Sequence, residues 1–355
     1  MTRQLASIQK ISALTPIEGA DRIVTASILG WKCVVKKGDF SCGDLVVYFE
    51  IDSFLPIRQE YEFLRESSYK KFEDGREGFR IKTRRFKKQI SQGLVLKPAE
   101  CGNLFDGATL EENADVTDIL GIVKYEPPIP SILRGKIIGR FPDFIPKTDE
   151  TRVQLLQNVI NRHVGLPCYV TEKIDGTSTT YYLKDEKFGI CSRNYEVSPD
   201  DSTAYILVAQ KLKIEELLRT MGKNLAIQGE IYGPNIGGNR LQQTELHYAV
   251  FQIFDIDACR YLNLDEFESL AAQLGLEVVP MIDKKFPLTN DIAYLVNFAQ
   301  GNSHITITRK REGIVIRPLV ETLDLGMSMT SGMPASSRLT FKVVNPEYLL
   351  EKEDE

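Results

Sequence analysis

Short apolar runs separated by tight polar turns make up the first hundred residues of the chain. The runs are rich in β-branched and aromatic residues, and no ten-residue helical repeat interrupts the early ones. They occupy 22–30, 31–38, 44–52, 78–86 and 92–98, with turn residues at Gly38, Asp39, Gly43 and Asp44. Regular short strands joined by such turns predict a small β-barrel or sandwich.

The pattern changes after this region. Residues 122–147 contain five prolines and no clean period, which is typical of a linker. Beyond it, Val153, Leu156 and Ile160 recur at helical spacing, with Thr148 as the expected N-cap. We further predict helices over 202–221 and 264–275, strands over 168–194, 225–232 and 247–256, and a loop over 326–337. The domains are therefore expected at 1–121 (β) and 148–355 (α+β), joined by 122–147.

Composition restricts the class of protein. Hydrophobic residues make up 43% of the 355 residues and charged residues 26%, as in ordinary globular proteins. Six cysteines and three histidines are scattered without a CxxC pair, so no zinc site is indicated and reduced thiols are expected. Neither a signal peptide nor an apolar run of about 18 residues is present. We expect a cytoplasmic protein with no membrane partner.

The net charge of −5 means that any contact with nucleic acid needs a local basic patch. One patch lies in "GFRIKTRRFKKQ", and its cations are Arg80, Lys82, Arg84, Arg85, Lys87 and Lys88. On a continuous strand, alternation would separate these cations from Phe79, Ile81 and Phe86. The patch is interpreted either as a phosphate-binding strip or as an edge strand kept soluble by its charges.

Lys173 stands in a strand-like run, "CYVTEKIDGTSTTYYL", where a lysine is unexpected. It is either a solvated edge-strand residue or a nucleophile. KxDG by itself is weak evidence, because a chain of this length contains one by chance about one time in ten.

Five further stretches follow Lys173 in a fixed order. They are "CSRN" with Arg193, "IQGEIYGPNIGGN" with Glu230, "VFQIFDI" with Phe254 and Asp255, "REGIVIRP" with Glu312, and "RLTFKVVN" with Lys342. The ordered set resembles motifs I, Ia, III, IIIa, IV and V of the covalent nucleotidyltransferases, which comprise DNA ligases, RNA ligases and capping enzymes. The resemblance implies an ATP-grasp-like α+β domain with antiparallel sheets.

The chemistry of that class gives each residue type a role. A lysine amine must attack the α-phosphorus of a nucleotide, yet at its usual pKa near 10.4 it is protonated and inert. A nearby divalent cation lowers that pKa. Mg²⁺ or Mn²⁺ binds oxygen ligands, and Asp175, Glu230 and Glu312 are the expected carboxylates. Surface positions for the two glutamates are the alternative.

The resemblance assigns the remaining roles. Arg193 and Lys342 are expected to hold the phosphates as cations that keep their protons. Gly176 is expected to let the backbone approach the nucleotide, and Glu172 to hold the edge of the base. Phe254 either stacks on the base or is core, and Asp255 is expected to hold a turn. Arg152 is expected either on the triphosphate or on a helix surface.

The order of domains narrows the family. Residues 18–52 are similar to oligonucleotide-binding (OB) barrels of the tRNA-binding type, and they precede motif I. DNA ligases and capping enzymes have their OB domain after motif V, where little chain remains here. The arrangement resembles the Deinococcus/Naegleria type of ATP-dependent RNA ligase. That implies ATP as donor, a nick with 3′-OH and 5′-phosphate ends in duplex RNA or an RNA/DNA hybrid, and a monomer.

Motif V departs from the two-lysine pattern of many ligases, because Thr340 stands where the first lysine is expected. Either Lys342 acts alone or Arg338 takes part of the role. A DNA ligase, a capping-type guanylyltransferase and a non-catalytic nucleic-acid-binding protein on this fold are the rival interpretations.

Overall fold

The computed structural model describes residues 4–87, 89–105, 110–126, 133, 135–199, 202–327 and 337–354. The described chain divides into two compact units, the first formed by 4–126 and 349–354 and the second by 133–327 and 337–348. The predicted boundaries at 121/122 and 147/148 stay a prediction. No helix in the described ranges is long and apolar enough to cross a membrane.

The first unit is built of short antiparallel strands. In the part of this unit that the structure describes, the strands are Ala6–Lys10 (β1), Ala13–Pro16 (β2), Ile23–Ile28 (β3), Trp31–Lys36 (β4), Leu45–Phe49 (β5), Ser53–Leu55 (β6), Tyr69–Lys71 (β7), Glu77–Arg80 (β8), Arg84–Phe86 (β9), Gln89–Ser91 (β10), Leu94–Leu96 (β11) and Val123–Lys124 (β12). They pair in the orders β1-β5-β11, β2-β3-β4, β12-β6-β8-β7 and β10-β9. Apolar side chains such as Ile8, Val47 and Phe79 fill the interior.

Four of the five predicted early strands are confirmed, and the single strand over 78–86 is wrong. β8 pairs with β6, whereas β9 pairs with β10, so the two halves join different sheets. Ile81 lies between them and is buried, with its N–H donating to the carbonyl of Ser53. This packing interrupts the alternation on which the prediction of one cationic face depended. The strip therefore changes direction after Arg80.

The second unit contains two sheets. Its strands are Ile137–Arg140 (β13), Thr151–Arg152 (β14), Pro167–Lys173 (β15), Thr177–Lys184 (β16), Lys187–Cys191 (β17), Tyr195–Val197 (β18), Leu225–Tyr232 (β19), His247–Asp255 (β20), Arg260–Tyr261 (β21), Met281–Pro287 (β22), Gly313–Pro318 (β23) and Phe341–Val344 (β24). The sheet orders are β13-β18-β17-β16-β19-β20-β21 and β14-β24-β23-β15-β22. All named pairings are antiparallel except that of β14 with β24.

The KIDG segment connects the two sheets. β15 ends at Lys173 in the five-stranded sheet, and β16 begins at Thr177 in the seven-stranded sheet. Residues of both sheets therefore meet around Asp175. Separate apolar clusters support the sheets, with Tyr181 and Ile227 in one and Val170 and Ile316 in the other.

The helices are short. The α-helices are Arg65–Ser68, Gln157–Arg162, Ala204–Lys211, Ile214–Met221, Leu264–Leu274, Ile292–Phe298 and Pro346–Asp354, and the 3-10 helices are Gln59–Leu64, Pro98–Cys101, Asn103–Phe105, Val153–Leu155 and Gly237–Asn239. The helix ending at Gly222 is confirmed at its C-terminus, where the glycine has φ +60°, but left-handed Lys213 divides it in two.

The helix over 264–275 is confirmed, with Asn263 and Glu266 forming a capping box. The predicted helix start at Thr148 is wrong. Residues Thr151–Arg152 form a strand instead, and the α-helix begins at Gln157. The Thr148 hydroxyl shares a hydrogen bond of 2.6 Å with that of Ser178. The apolar spacing located the buried face correctly, whereas pairing with β24 set where the helix begins.

Candidate active site

A cleft of about 350 Å³ lies where the two sheets meet. Eight of the predicted site residues line it, namely Glu172, Lys173, Asp175, Gly176, Arg193, Glu230, Glu312 and Lys342. Arg152 and Phe254, also predicted, do not line it. Residues separated by up to 170 positions in sequence are thus brought into one cavity.

Lys173 is held against a carboxylate by strand register. It pairs with Gly313 across β15 and β23, which puts Glu312 beside it. The Lys173 Nζ donates a hydrogen bond of 2.7 Å to Glu312 Oε2, and 24% of the lysine side chain is exposed. Burial acts to lower the pKa of Lys173, but Glu312, Glu230 and Asp175 together raise it above its usual value. Lys173 is therefore an ammonium among carboxylates.

Glu230 and Asp175 complete the acidic end of the cleft. Glu230 lies on β19, and burial raises its pKa to about 8, with Glu312 and Asp175 adding to the rise and Lys173 opposing it. Asp175 Oδ2 accepts a hydrogen bond of 2.6 Å from the Tyr348 hydroxyl, and Arg240 Nε lies 3.9 Å from the same oxygen. The Arg240 guanidinium also lies over the Tyr348 ring. Sequence reasoning missed Tyr348 and Arg240.

The acidic end offers carboxylate oxygens, which are suitable ligands for a divalent cation, but it does not supply a complete coordination shell. Nowhere in the described part of the chain do three His, Cys, Asp or Glu side chains come close enough to hold a metal by themselves. Mg²⁺ usually takes only one or two carboxylates and completes its shell with waters and phosphates. Burial, together with the nearby Glu312 and Asp175, raises the pKa of Glu230, and a bound cation would favour its ionised form. The lining carboxylates therefore fit such an ion.

The other end of the cleft is cationic. Lys342 on β24 is adjacent to Arg152 on the parallel strand β14. Burial, reinforced by Arg152 and Lys173, lowers the pKa of Lys342 to about 7. The expectation that Lys342 holds a phosphate as a cation stays a prediction. Arg193 keeps 57% of its side chain exposed and forms an ion pair with Asp149.

Glu172 presents a buried acceptor at the cleft. The residue is 2% exposed, and its Oε2 accepts a hydrogen bond of 2.8 Å from the backbone N–H of His304. Its Oε1 is buried with no partner in the described chain. An unsatisfied buried oxygen is costly, so a donor on a bound ligand would be favoured here.

The aromatic residue at the cleft is Phe251 and not Phe254. Phe254 is 3% exposed, packs edge-on against Tyr261 and lies in an apolar cluster with Phe141 and Tyr182. Phe251 lines the cleft, and the Arg317 guanidinium lies 5.8 Å from its ring centre. Successive residues of a strand point to opposite faces of the sheet, so residues 251 and 254, three positions apart, lie on opposite faces. The sequence prediction therefore chose the phenylalanine on the wrong face. The core alternative for Phe254 is therefore correct.

Buried Arg317 is a further residue that sequence reasoning missed. It is 2% exposed on β23 and pairs with Glu150 at 3.0 Å. An arginine inside the apolar run "GIVIRP" was a usable signal, because arginine is almost never fully buried without a partner. Asp255 accepts a hydrogen bond from the Ala258 N–H, which confirms its turn-holding role.

Packing restricts residue 176 to glycine, and its expected role in letting the backbone approach the nucleotide stays a prediction. A Cβ at this position would lie 2.3 Å from the carbonyl oxygen of Ile231 and 2.9 Å from Glu230 Cγ. The close approach is therefore to strand β19. Substitution would displace Glu230, so the glycine affects the acidic end through packing.

Arg338 and Thr340 line a second cavity of about 550 Å³ and not the cleft. Arg338 is buried, forms an ion pair with Glu321 and lies 3.9 Å from the Tyr261 ring centre. Its charge is thus already matched. The interpretation that Arg338 takes over a motif V role is wrong, and Lys342 is the motif V cation at the cleft.

The cations of the basic strip in the first unit differ in their exposure. Arg80 donates to Asp52 Oδ1 at 2.8 Å and stacks 4.1 Å from the centre of the Tyr125 ring. Lys82, Arg85 and Lys87 are exposed, Arg84 is half-buried, and Lys88 lies outside the described residues. Phe86 is 43% exposed and so is not a core residue.

Comparisons with known proteins agree with this architecture. A family model described as an OB-fold domain matches residues 5–98, and a model described as RNA ligase matches residues 166–344. The comparison with curated proteins gave no match.

Solved structures of Naegleria gruberi RNA ligase are similar along the whole chain. A lysine-to-methionine variant with AMP and Mn is 36% identical, with a TM-score of 0.83 over 99% of this chain and 100% of that one. A lysine-to-alanine variant with ATP and Mn gives the same identity, coverage and TM-score. A structure with PPi is 36% identical, with a TM-score of 0.81 over 100% of both chains. The chain therefore belongs to the RNA ligase family, with an OB-fold domain followed by a nucleotidyltransferase domain of antiparallel sheets.

Proposed function

We propose that this RNA ligase uses ATP to seal nicks that carry 3′-OH and 5′-phosphate ends in duplex RNA or an RNA/DNA hybrid. The observation that carries the proposal is the position of Lys173, with its Nζ hydrogen-bonded to Glu312 in a cleft also lined by Asp175, Glu230 and Lys342. The Naegleria relatives were solved with ATP or AMP and Mn, which supports ATP and a divalent cation as ligands of this site.

In the first step, the Lys173 amine forms a bond to the α-phosphorus of ATP, and the bond to the bridging oxygen breaks to release pyrophosphate. The amine must lose a proton first, and Glu312 Oε2 is the acceptor already in contact with it. Lys342 and Arg193, which line the cleft, would stabilise the charge that develops on the phosphates. Arg152, on the strand next to Lys342, would add to the positive potential there. Glu172 Oε1 would accept from the base, and Phe251 would contact its face.

A divalent cation held by Asp175, Glu230 or Glu312 would neutralise phosphate charge and favour the neutral amine. Around it, Tyr348 and Arg240 orient Asp175. Gly176 keeps the backbone close enough for Glu230 to reach the cleft. These residues prepare the site without contacting the reacting bond.

Two further transfers complete sealing. An oxygen of the 5′-phosphate attacks the α-phosphorus, which breaks the bond to Lys173 and gives a 5′-5′ anhydride. The 3′-OH then attacks the 5′-phosphate, forms the phosphodiester and releases AMP. We propose that the second domain, over 148–355, performs these steps, and that the first domain, over 1–121, contacts the duplex through phosphates.

Covalent labelling tests the donor. The protein is incubated with α-labelled ATP or GTP and then denatured. We expect label from ATP to remain on the protein and to be lost in Lys173→Ala. Label from GTP in place of ATP would favour a guanylyltransferase, and absence of any label would favour a non-catalytic binding protein.

A panel of nicked duplexes tests the substrate. RNA and DNA are varied independently in the 3′-OH strand, the 5′-phosphate strand and the template. We expect sealing to require RNA in at least one strand at the nick. Equal sealing of an all-DNA nick would contradict the proposal while leaving ATP labelling intact.

Neutralisation of the strip tests the contact with the duplex. Replacement of Arg84, Arg85, Lys87 and Lys88 by glutamine is expected to weaken sealing and to reduce its salt dependence, because fewer counterions are released. Labelling by ATP is expected to be retained. Arg80→Gln is measured in parallel to show what loss of the ion pair with Asp52 does by itself. A parallel fall in labelling would show that the strip is structural.

A further inference from the structure

The first unit contains a groove of about 720 Å³ in which exposed aromatic rings and cations share one surface. Phe63 lines it from the 3-10 helix Gln59–Leu64 and is 60% exposed. Phe86 lines it from β9 and is 43% exposed. The volume lies within the range of about 300–1,000 Å³ that is usual for ligand pockets.

Neither Phe63 nor Phe86 packs against another aromatic ring in the described part of the chain. Isolated exposed apolar residues are common, but two large rings on the same cavity indicate a surface that binds something.

Charge indicates the chemistry of the ligand. Lys36, Lys82, Arg84 and Arg85 line the groove, together with the acids Asp39 and Glu100. Glu100 is engaged by the backbone N–H of Lys97 at 2.7 Å. Arg84 Nη2 is buried without an acceptor in the described chain. A buried guanidinium nitrogen of this kind is matched by a phosphate oxygen.

We infer that this groove binds unpaired nucleotides of the RNA substrate, with a base stacked on Phe86 or Phe63 and a phosphate on Arg84. The inference rests on the proposed function only in taking RNA as the substrate. Duplex RNA hides its base faces in the helical stack, so it offers the rings nothing to stack on. Unpaired nucleotides offer both a π-face and a phosphate, and a groove of rings and cations is the usual platform for them.

The inference gives the first unit a role that phosphate contacts alone do not provide. A strip of cations binds any duplex of suitable length, whereas this groove distinguishes strands with unpaired residues. RNA with a single-stranded segment beside the nick would be held more tightly than a fully paired nick.

A tryptophan at the groove tests the inference directly. The chain has one tryptophan, Trp31, which is fully buried and gives a constant background. In Phe86→Trp we expect a ten-nucleotide single-stranded oligoadenylate to quench the new emission and a blunt RNA duplex of equal length to leave it unchanged. Unchanged emission with the single strand, or equal quenching by both, would overturn the inference.

Affinity provides the second measurement. Loss of one stacking contact predicts that Phe86→Leu weakens binding of the single strand by about 5- to 100-fold and binding of the duplex by less than twofold. Phe63→Leu is measured in parallel, and Tyr294→Leu is the control, since Tyr294 is 51% exposed in the second unit. Unchanged affinity in both groove variants would overturn the inference.

The same samples separate three outcomes. Covalent labelling by ATP needs no RNA and reports on the proposed function by itself, so a protein that never labels but shows ring-dependent binding retains this inference alone. Equal loss of single-strand and duplex binding would indicate a general electrostatic effect and contradict it. A change in sedimentation of the groove variants with unchanged RNA affinity would identify a protein contact surface in its place.

Discussion

The two ends of the cleft contain the same type of residue in opposite environments. Lys173 lies at the acidic end, where Glu312, Glu230 and Asp175 raise its pKa. Lys342 lies at the cationic end, where burial, Arg152 and Lys173 lower its pKa to about 7. Both side chains project from strands of the same five-stranded sheet. Protonation is therefore set by the neighbours that the fold supplies and not by the residue type.

This difference matches the two roles that we propose for Lys173 and Lys342. A nucleophile needs carboxylates that hold it in place and can accept its proton, and a cation added among them frees its lone pair. A lysine that binds phosphate is stabilised in its charged form by an anion. Lys342 has arginine neighbours, and the incoming triphosphate would supply negative charge beside it. Binding of ATP is thus expected to raise the pKa of Lys342 and to restore its positive charge.

The largest effect is expected at Lys173. Lys173→Met should reduce covalent labelling by ATP by about 10⁴-fold or more, because it removes the amine that is held beside Glu312 for the attack. Lys173→Arg should be equally inactive, since a guanidinium stays protonated and is a poor nucleophile. Gel autoradiography after denaturation measures the product. Substantial labelling of Lys173→Arg would contradict the assignment of the nucleophile.

Lys342 should respond differently to the same pair of substitutions. Lys342→Met removes a phosphate contact and is expected to slow labelling by about 10²- to 10³-fold. Lys342→Arg supplies a permanent cation and should retain more activity than the methionine variant. Single-turnover labelling at saturating ATP measures both rates. Equal rates for the arginine and methionine variants would show that charge at this position is not what matters.

Lys342 and Glu230 are expected to change the free energy of unfolding in opposite directions as the pH rises. The pKa of Lys342 is lowered from about 10.5 to about 7 on folding, so the unfolded chain binds the extra proton between these values and stability rises with pH across them. The pKa of Glu230 is raised from about 4.5 to about 8, so the folded chain binds the extra proton and stability falls as pH rises through that window.

Substitution separates these contributions. Lys342→Met is expected to be more stable than the parent by about 1–3 kcal/mol at or below pH 7, with the difference disappearing near pH 10. Glu230→Gln is expected to gain stability above pH 8 and little below pH 5. Urea unfolding in EDTA without nucleotide measures both, and exposed Lys223→Met is the control. Parallel pH profiles for the two variants would refute the contrast.

The smallest effect is expected at Tyr348. Tyr348→Phe removes the hydrogen bond of 2.6 Å to Asp175 but keeps the ring under Arg240. We expect labelling to slow by about tenfold and the Mn²⁺ requirement to rise, because Asp175 is less well oriented. Tyr232→Phe, in the same unit but outside the cleft lining, should label at the parental rate. An unchanged metal requirement would show that the contact only supports folding.

Local patterns predicted much of the fold. The early strands, the helix over 264–275 and the left-handed C-cap at Gly222 follow from residue type and spacing within about ten residues. Errors occurred where a distant partner decided the outcome. The strand at Thr151–Arg152 forms because β24 lies beside it. The predicted strand over 78–86 breaks after Arg80 because the residues before and after the break pair with strands of different sheets.

The site shows the same division at the level of side chains. Ordered motifs identified eight residues that line the cleft, but spacing along β20 did not distinguish Phe251 from Phe254. Tyr348 and Arg240 lie outside the quoted motifs, and the signal of Arg317, an arginine within the apolar run "GIVIRP", was not used. Their roles depend on partners more than sixty positions away, with Asp175 and Glu150 as examples.

Sequence alone determined the family, the order of the two domains and the choice of Lys173, in the KIDG segment, as the candidate nucleophile. These follow from residue types at fixed spacing, which the chain carries wherever it folds. Tertiary structure alone decided the direction in which the pKa of each lysine shifts, which aromatic residue lines the cleft and that Arg80 of the strip bonds to Asp52. Those properties depend on burial and on distances between remote residues, because the pKa of a side chain is a property of its surroundings.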